Sequence, residues 1–159
     1  MAVLDLTELS TATAPYTPLV GLDLGTKTIG VAVSDGTRTV ASPLALIRKT
    51  KFTDDAAALF KLMEALGATG VVVGLPVNMD GTEGPRCQSS RAFARNILRL
   101  REVPIAFWDE RLSSAAVNRM LIDEHDVGRK QRGEVVDKLA ATYILQGALE
   151  RLRNHPIPT

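Results

Sequence analysis

The stretch VGLDLGTKTIGVAVSD, residues 20–35, constrains the fold more than any other part of the chain. Its alternation predicts two strands joined by a tight Gly-Thr-Lys-Thr turn. Val20, Leu22 and Leu24 share one face, and Gly21, Asp23 and Gly25 the other. A carboxylate in the middle of a half-buried strand is costly unless it is paired, hydrogen-bonded or bound to a metal. The rest of the chain therefore has to supply a partner for Asp23.

Beyond the hairpin the punctuation is regular. TVASPLALI (39–47) predicts a third strand whose proline favours an edge or a bulge. Thr53 is a candidate cap for a helix with Asp54 and Asp55 in its first turn and Leu59, Leu62, Met63 and Leu66 as its inner stripe. GVVVGLP (70–76) has the length and β-branching of a buried parallel strand. The loop NMDGTEGPR leads to a helix over 87–101 with Phe93, Ile97 and Leu100 inward. VPIAFWDE supplies another strand, Ser113 or Ser114 caps a helix through Leu121, and IDEHDVGRKQRG reads as a polar loop. A last helix starts near Glu134 and runs to about Arg153. The expected fold is α/β: a five-stranded mixed sheet, its first three strands an antiparallel meander and its last two parallel, with helices on both faces.

At 159 residues, 45% hydrophobic and 23% charged, the chain can bury one ordinary core. Residues 1–17 are expected to form a flexible extension with no basic leader, since Asp5 and Glu8 interrupt any apolar run. The domain proper spans 18–153, and the two-proline tail 154–159 ends the packed chain. No stretch approaches the roughly 20 apolar residues of a membrane-spanning helix, so no membrane partner is expected. The net charge of +1 makes no global claim on nucleic acid; any basic surface must be local. The one cysteine, Cys87, excludes an internal disulfide, no cysteine-histidine cluster has zinc spacing, and a reducing cytoplasm fits best.

In open α/β sheets, sites gather outside the carboxyl ends of the parallel strands. Three acidic residues fall where such a site could use them: Asp23 in the first strand, Glu110 directly after IAFWD, and Asp137 in the first turn of the last helix. Asp137 shares a helix face with Ala140, Ala141, Ile144 and Ala148, whose small size would let the helix lie close to the sheet. Three gathered carboxylates need a counter-charge, and oxygen-only ligation favours magnesium or manganese over zinc. Two such ions about 4 Å apart suit phosphodiester cleavage. Plainer roles compete: Asp137 favouring a helix N-terminus, Glu110 a surface strand-end residue, Asp23 accepting hydrogen bonds from the turn.

Basic groups offer similar choices. Arg91, Arg95 and Arg99 recur every four residues, as a phosphate-binding stripe or a solvated face shared with Glu102. Arg111 could neutralise the carboxylates, touch phosphate or form a structural ion pair. The NMDGTEGPR loop could hold a phosphate on its amides or simply connect strand to helix. Ser113 and Ser114 lack a histidine in a triad arrangement, His125 and His155 lie in polar segments, and Cys87 reads as a bystander.

GLDLGTKTIGVAVSD, VVGLPVNMDGTEGPR, WDERLSS and VVDKLAATYILQ, in this order and spacing, resemble the signature blocks of the YqgF/RuvX family over about residues 20–150. That family is described as small bacterial proteins with a ribonuclease H-like fold, as Holliday junction resolvases and as nucleases maturing the 5′ end of small-subunit ribosomal RNA precursor. The resemblance implies a catalytic and metal-binding set of Asp23, Glu110 and Asp137 holding one or two magnesium or manganese ions. It also places Arg129, Lys130 and Arg132 in a loop beside Asp137, able to close over nucleic acid or to serve as a solvated linker. Lys27 stands where the family often has arginine, which keeps the charge but loses the bidentate fork. The implied partners are RNA or branched or single-stranded DNA, ribosomal precursor particles among them. Trimming one strand needs one active site, whereas junction resolution requires a homodimer. With 4% aromatic residues, Trp108 and the phenylalanines largely in the core, recognition through phosphates and shape is expected. Two rivals remain: a non-catalytic nucleic-acid or ribosome-associated module, and the phosphate-binding hairpin of actin-like ATPases, which normally need two such domains.

Overall fold

A computed structural model of the chain describes residues 3–112 and the helix 129–154, with side chains in that helix from 138 to 153. The strands are β1 (Leu19–Leu24), β2 (Thr28–Ser34), β3 (Ala41–Arg48), β4 (Gly70–Leu75) and β5 (Ile105–Asp109). They form one sheet in the order β3-β2-β1-β4-β5. β1 pairs antiparallel with β2, Leu22 opposite Val31, and parallel with β4, Leu22 beside Val73. β2 and β3 are antiparallel, and β4 and β5 parallel with Val73 beside Phe107. This is the expected mixed sheet. Pro43 lies in edge strand β3 beside a register shift at Val31/Ala32, where a missing ladder donor is tolerated.

Alternation along the strands builds two cores. Val20, Leu22, Val71, Val73 and Ile105 point to one face, where they meet α2 (Phe52–Leu66) and α3 (Pro85–Leu100) through Leu59, Met63, Ala94 and Ile97. Leu19, Val72, Ala106 and Trp108 point to the other, against Ala141, Ile144, Leu145 and Ala148 of α4 (Arg129–Asn154). α4 rides close to the sheet. A Cβ on Gly21 would stand 2.6 Å from Leu145 Cβ, and one on Gly147 would stand 3.0 Å from the Trp108 ring. The small-residue helix face expected from Ala140, Ala141 and Ala148 is thus matched by glycine on the sheet; all three alanines are buried.

Several local expectations are corrected. α2 starts at Phe52 after Lys51, which makes no side-chain cap, so Thr53 is not the cap. Instead the buried Asp55 carboxylate reaches back to accept from the Thr50 amide at 3.0 Å. The inner stripe of α2 is Ala56, Leu59, Phe60 and Met63, with Leu62 packed against the core at its edge as expected; Leu66 is exposed at the end, where Gly67 turns the chain in the left-handed conformation (φ 69°). α3 starts two residues earlier than expected, with Pro85 in its first turn, and Leu100 is exposed rather than inward. α4 starts at Arg129, not near Glu134, so Arg129, Lys130 and Arg132 belong to a helix rather than a loop.

The largest departure is at the N-terminus, expected as a flexible extension. Leu4 bridges Ala106 on the open edge of β5, and residues Leu6–Ala12 form helix α1 with Leu9 fully buried in the α4-side core. Asp5 and Glu8 form a reciprocal capping box: the Glu8 amide donates to Asp5 Oδ1 at 2.7 Å and the Asp5 amide to Glu8 Oε1 at 3.1 Å. The helix expected from Ser113 or Ser114 to Leu121, His125 and His155 and most of the tail lie outside the described residues. Among the described residues no helix is long and apolar enough to cross a membrane.

Candidate active site

The site begins with the alternation of β1. Because Gly21 faces α4, Asp23 two residues on does too, at the carboxyl end of the strand and 3% exposed. One strand over, Val73 is beside Leu22, so Gly74 comes abreast of Asp23; one further, Trp108 is beside Gly74. β5 ends at Asp109, and a single 3-10 turn, Glu110–Leu112, follows. That turn sends the Glu110 carboxylate back over β4. A Cβ on Gly74 would lie 3.0 Å from Glu110 Oε1 and 2.5 Å from Ile144 Cδ1 of α4. Glycine at 74 therefore creates the space in which Glu110 sits beside the strand position of Asp23. The structure thus places Glu110 Oε1 at Gly74, one strand over from Asp23. Both carry polar or ionic partners in the fold.

Asp137 lies in α4, one helical turn before Ala141, whose carbonyl lies 3.1 Å from where a Gly21 Cβ would be. Its side chain, with those of Arg129, Lys130 and Arg132, is outside the described part of α4. Among the described residues no group of three acidic, histidine or cysteine side chains forms a metal cage. The donor set present, Asp23 and Glu110, is oxygen-only, which suits a hard divalent ion. The cradle left by Gly74 is room that any β-carbon would fill.

Asp109, Glu110 and Arg111 are neighbours in sequence with different tasks. Arg111 donates to both Asp109 oxygens, Nη2 to Oδ2 at 2.7 Å, and its Nη1 reaches the Met79 carbonyl at 3.5 Å. The Arg111 hydrogen bonds hold the Asp109 carboxyl below its ordinary range, and Asp109 in turn raises Arg111. The guanidinium is thus a structural partner of Asp109 that also braces the loop after β4. That loop is further fixed by Asp80, which accepts from the Thr82 amide and hydroxyl at 2.9 and 2.6 Å, and by Gly81 at φ 90°. Met79 projects from it fully into solvent.

The other basic residues divide. Arg91 forms a two-bond fork with Glu83, at 2.6 and 2.8 Å, and lies over the Phe107 ring at 5.1 Å. That pair raises Arg91 and lowers Glu83. Arg95 and Arg99 are exposed on α3. This helix covers the sheet face opposite to Asp23, so the stripe does not line the carboxylates. Lys27 is exposed in the β1–β2 turn, and its carbonyl accepts from the Lys49 amide. Arg86, given no role from sequence, donates to the Leu24 carbonyl at 3.3 Å, next to Asp23. Cys87 is buried, with its thiol pushed up mainly by that burial. Sequence reasoning missed Gly74, although a glycine inside an otherwise β-branched buried strand signals a close approach.

Comparison with known proteins gives this geometry its context. The family model described as RuvX, Holliday junction resolvase, matches residues 17–151. A protein of Phenylobacterium zucineum (strain HLK1), named as a candidate pre-16S rRNA nuclease, is 74% identical over 97% of this chain and 99% of its own length. One from Rhodospirillum rubrum with the same name is 56% identical over 96% of this chain and 94% of its own. Among solved structures, T. thermophilus RuvC in complex with a Holliday junction substrate covers 90% of this chain and 99% of that one, with a TM-score of 0.54 at 12% identity. That likeness establishes a shared fold.

Proposed function

The chain belongs to the RuvX, or Holliday junction resolvase, family, and from that premise we propose that it is a metal-dependent nuclease. It hydrolyses phosphodiester bonds in nucleic acid and processes the 5′ end of small-subunit ribosomal RNA precursor, acting in the cytoplasm on precursor particles. The names carried by its relatives support that substrate. The observation that carries the chemistry is the Glu110 carboxylate lying over Gly74, abreast of buried Asp23 at the carboxyl end of the sheet.

Family membership implies divalent-metal use. Asp23, Glu110 and Asp137 would hold one or two magnesium or manganese ions. When bound, such ions polarise the phosphate and activate a water for in-line attack. The chain's own contribution is placement. The sheet and α4 keep Asp23 away from bulk water, Gly74 fixes where Glu110 lies, and helical period would put Asp137 of α4 in line with Ala141 and Ile144. Arg111, fastened to Asp109, holds the neighbouring loop. Lys27, Arg95, Arg129, Lys130 and Arg132 would contribute charge for the phosphate backbone.

The test incubates purified protein with labelled single-stranded RNA and with a labelled four-way DNA junction, each with manganese, magnesium or chelator. Metal-dependent cutting of the RNA is expected. Asp23→Asn, Glu110→Gln and Asp137→Asn should each lower it by at least about a hundredfold, the scale of removing one preorganised transition-state contact, with the fold retained. Full activity in Asp137→Asn would sink the three-carboxylate site. Paired symmetric nicks in the junction alone would favour the resolvase reading that the family description supports, and would require a homodimer. No cutting of either substrate would favour a non-catalytic binding module.

A further inference from the structure

A groove of about 540 Å³ opens between the β1–β2 turn, the start of α2 and the outer side of α3. It begins at Leu24 and Gly25, the residues that directly follow Asp23 in the chain. Phe52 and Phe93 meet edge to face in its wall, ring centroids 5.6 Å apart, and both are only half-buried. Its mouth carries two cations. Lys49 Nζ donates to the Gly25 carbonyl at 3.2 Å and Arg86 Nη2 to the Leu24 carbonyl at 3.3 Å, so both charges are anchored on successive peptide units beside Asp23. The lining carboxylate, Asp55, is buried and occupied by Thr50. Asn96 adds an amide that can both donate and accept.

Aromatic rings beside paired cations suit a flat, apolar ring joined to a phosphate, and the volume is that of an ordinary small-ligand site. We propose that this groove holds one unstacked nucleotide of the strand being cut, its base against Phe52 and Phe93 within reach of Asn96 and its phosphate on Lys49 and Arg86. The proposal rests on the nuclease reading for the identity of that strand. A base can enter only if it is not stacked and paired, so the groove selects single-stranded or frayed nucleic acid next to the site of cleavage. Both rings also pack against the core under α2 and α3, as expected of the phenylalanines, and present only their outer parts to the groove.

The experiment measures binding of the full chain, in chelator, to a short fluorescein-labelled single-stranded RNA and to the same sequence as a duplex. Ser89→Trp puts a large ring into the groove from an exposed position on α3. It should weaken single-strand binding about tenfold, the scale of losing one base-stacking contact, and duplex binding less than about twofold. Arg86→Gln should reduce the salt dependence of single-strand binding by about 0.7 in log–log slope, one phosphate contact. Thermal unfolding of both variants checks that the fold survives. Equal weakening of single strand and duplex, or no weakening by either variant, would overturn the proposal. So would adenosine monophosphate binding the wild type as tightly as the RNA, which would make this a free-nucleotide site. Because chelator removes cleavage from the readout, groove-dependent binding by a protein that cuts nothing with either metal would count against the nuclease reading alone.

Discussion

The two faces of the sheet are built on opposite rules. Toward α2 and α3 the strands present Val20, Leu22, Val71, Val73 and Ile105, a surface of branched side chains met by Leu59 and Ile97. Toward α4 they present Gly21 and Asp23 on β1, Val72 and Gly74 on β4, and Ala106 and Trp108 on β5. The first face is defined by volume that fills space. The second is defined by volume left out, which lets the backbone of α4 approach at Gly21 and lets Glu110 fold back over Gly74. Both give a buried core, but the second leaves room for the α4 backbone at Gly21 and for the Glu110 carboxylate at Gly74. The candidate chemistry lies on the face where side chains are missing.

The difference is most exposed at Gly74. Gly74→Ala adds one methyl group, 2.5 Å from Ile144 Cδ1 and 3.0 Å from Glu110 Oε1. The isoleucine end can move aside, whereas the carboxylate must shift. Cleavage should fall about a hundredfold, the effect of an ångström-scale misplacement of a reacting group, while stability falls by about 1–3 kcal/mol for overpacking. On the other face Leu59→Ala should do the reverse. It should cost about 2–5 kcal/mol of stability as a cavity opens under α2, with cleavage per folded molecule unchanged. Urea unfolding paired with the RNA assay reads both. Equal activity losses in the two variants would show that the faces are not functionally distinct.

Much of this organisation was legible in the sequence because it depends on period. Alternation placed β1, β2 and β4 and put Asp23 with Gly21; the acidic residue directly after IAFWD marked Glu110. What stayed hidden depended on which partner a side chain finds. Arg91 and Arg111 read as phosphate candidates, but folding gives Arg91 to Glu83 across the α3 entrance and Arg111 to Asp109. The start of α2 was misplaced because Asp55 reaches backward to Thr50, a contact no capping pattern at Thr53 implies. The Asp5 and Glu8 spacing is that of a capping box, a signal that a reading of the two charges as interruptions of an apolar leader passes over. For Asp137, helical period alone gives the face.

That N-terminal helix bears on the comparison because Leu9 fills the α4-side core. If volume is scarce on this face, removing the helix's anchor should matter there. Asp5→Ala removes the acceptor for the Glu8 amide and should cost about 1 kcal/mol, the usual loss of an N-cap. Hydrogen exchange should accelerate in Leu6–Ala12 and at the edge of β5 before it does in α2. Uniform acceleration across both faces would mean that α1 is not a separate local support.

The smallest effect concerns the point where the faces meet at the end of β5. Glu110 turns toward Gly74, while Asp109 is clasped by Arg111, which also holds the Met79 carbonyl. Asp109 has its folded pKa depressed chiefly by the Arg111 hydrogen bonds. Its contribution to stability is therefore complete above the unfolded aspartate value, about 3.9, and is lost as pH falls from there through the lower folded value. Asp109→Asn should lower Tm slightly at neutral pH, and the gap from wild type should narrow through that acidic window and close below it. The Leu59→Ala gap, a cavity effect with no titrating group, should stay unchanged over the same range. If the Asp109→Asn gap also stayed constant into strong acid, Arg111 would be supporting the loop through Met79 alone, and the carboxylate beside Glu110 would have no electrostatic part in holding that end of the sheet.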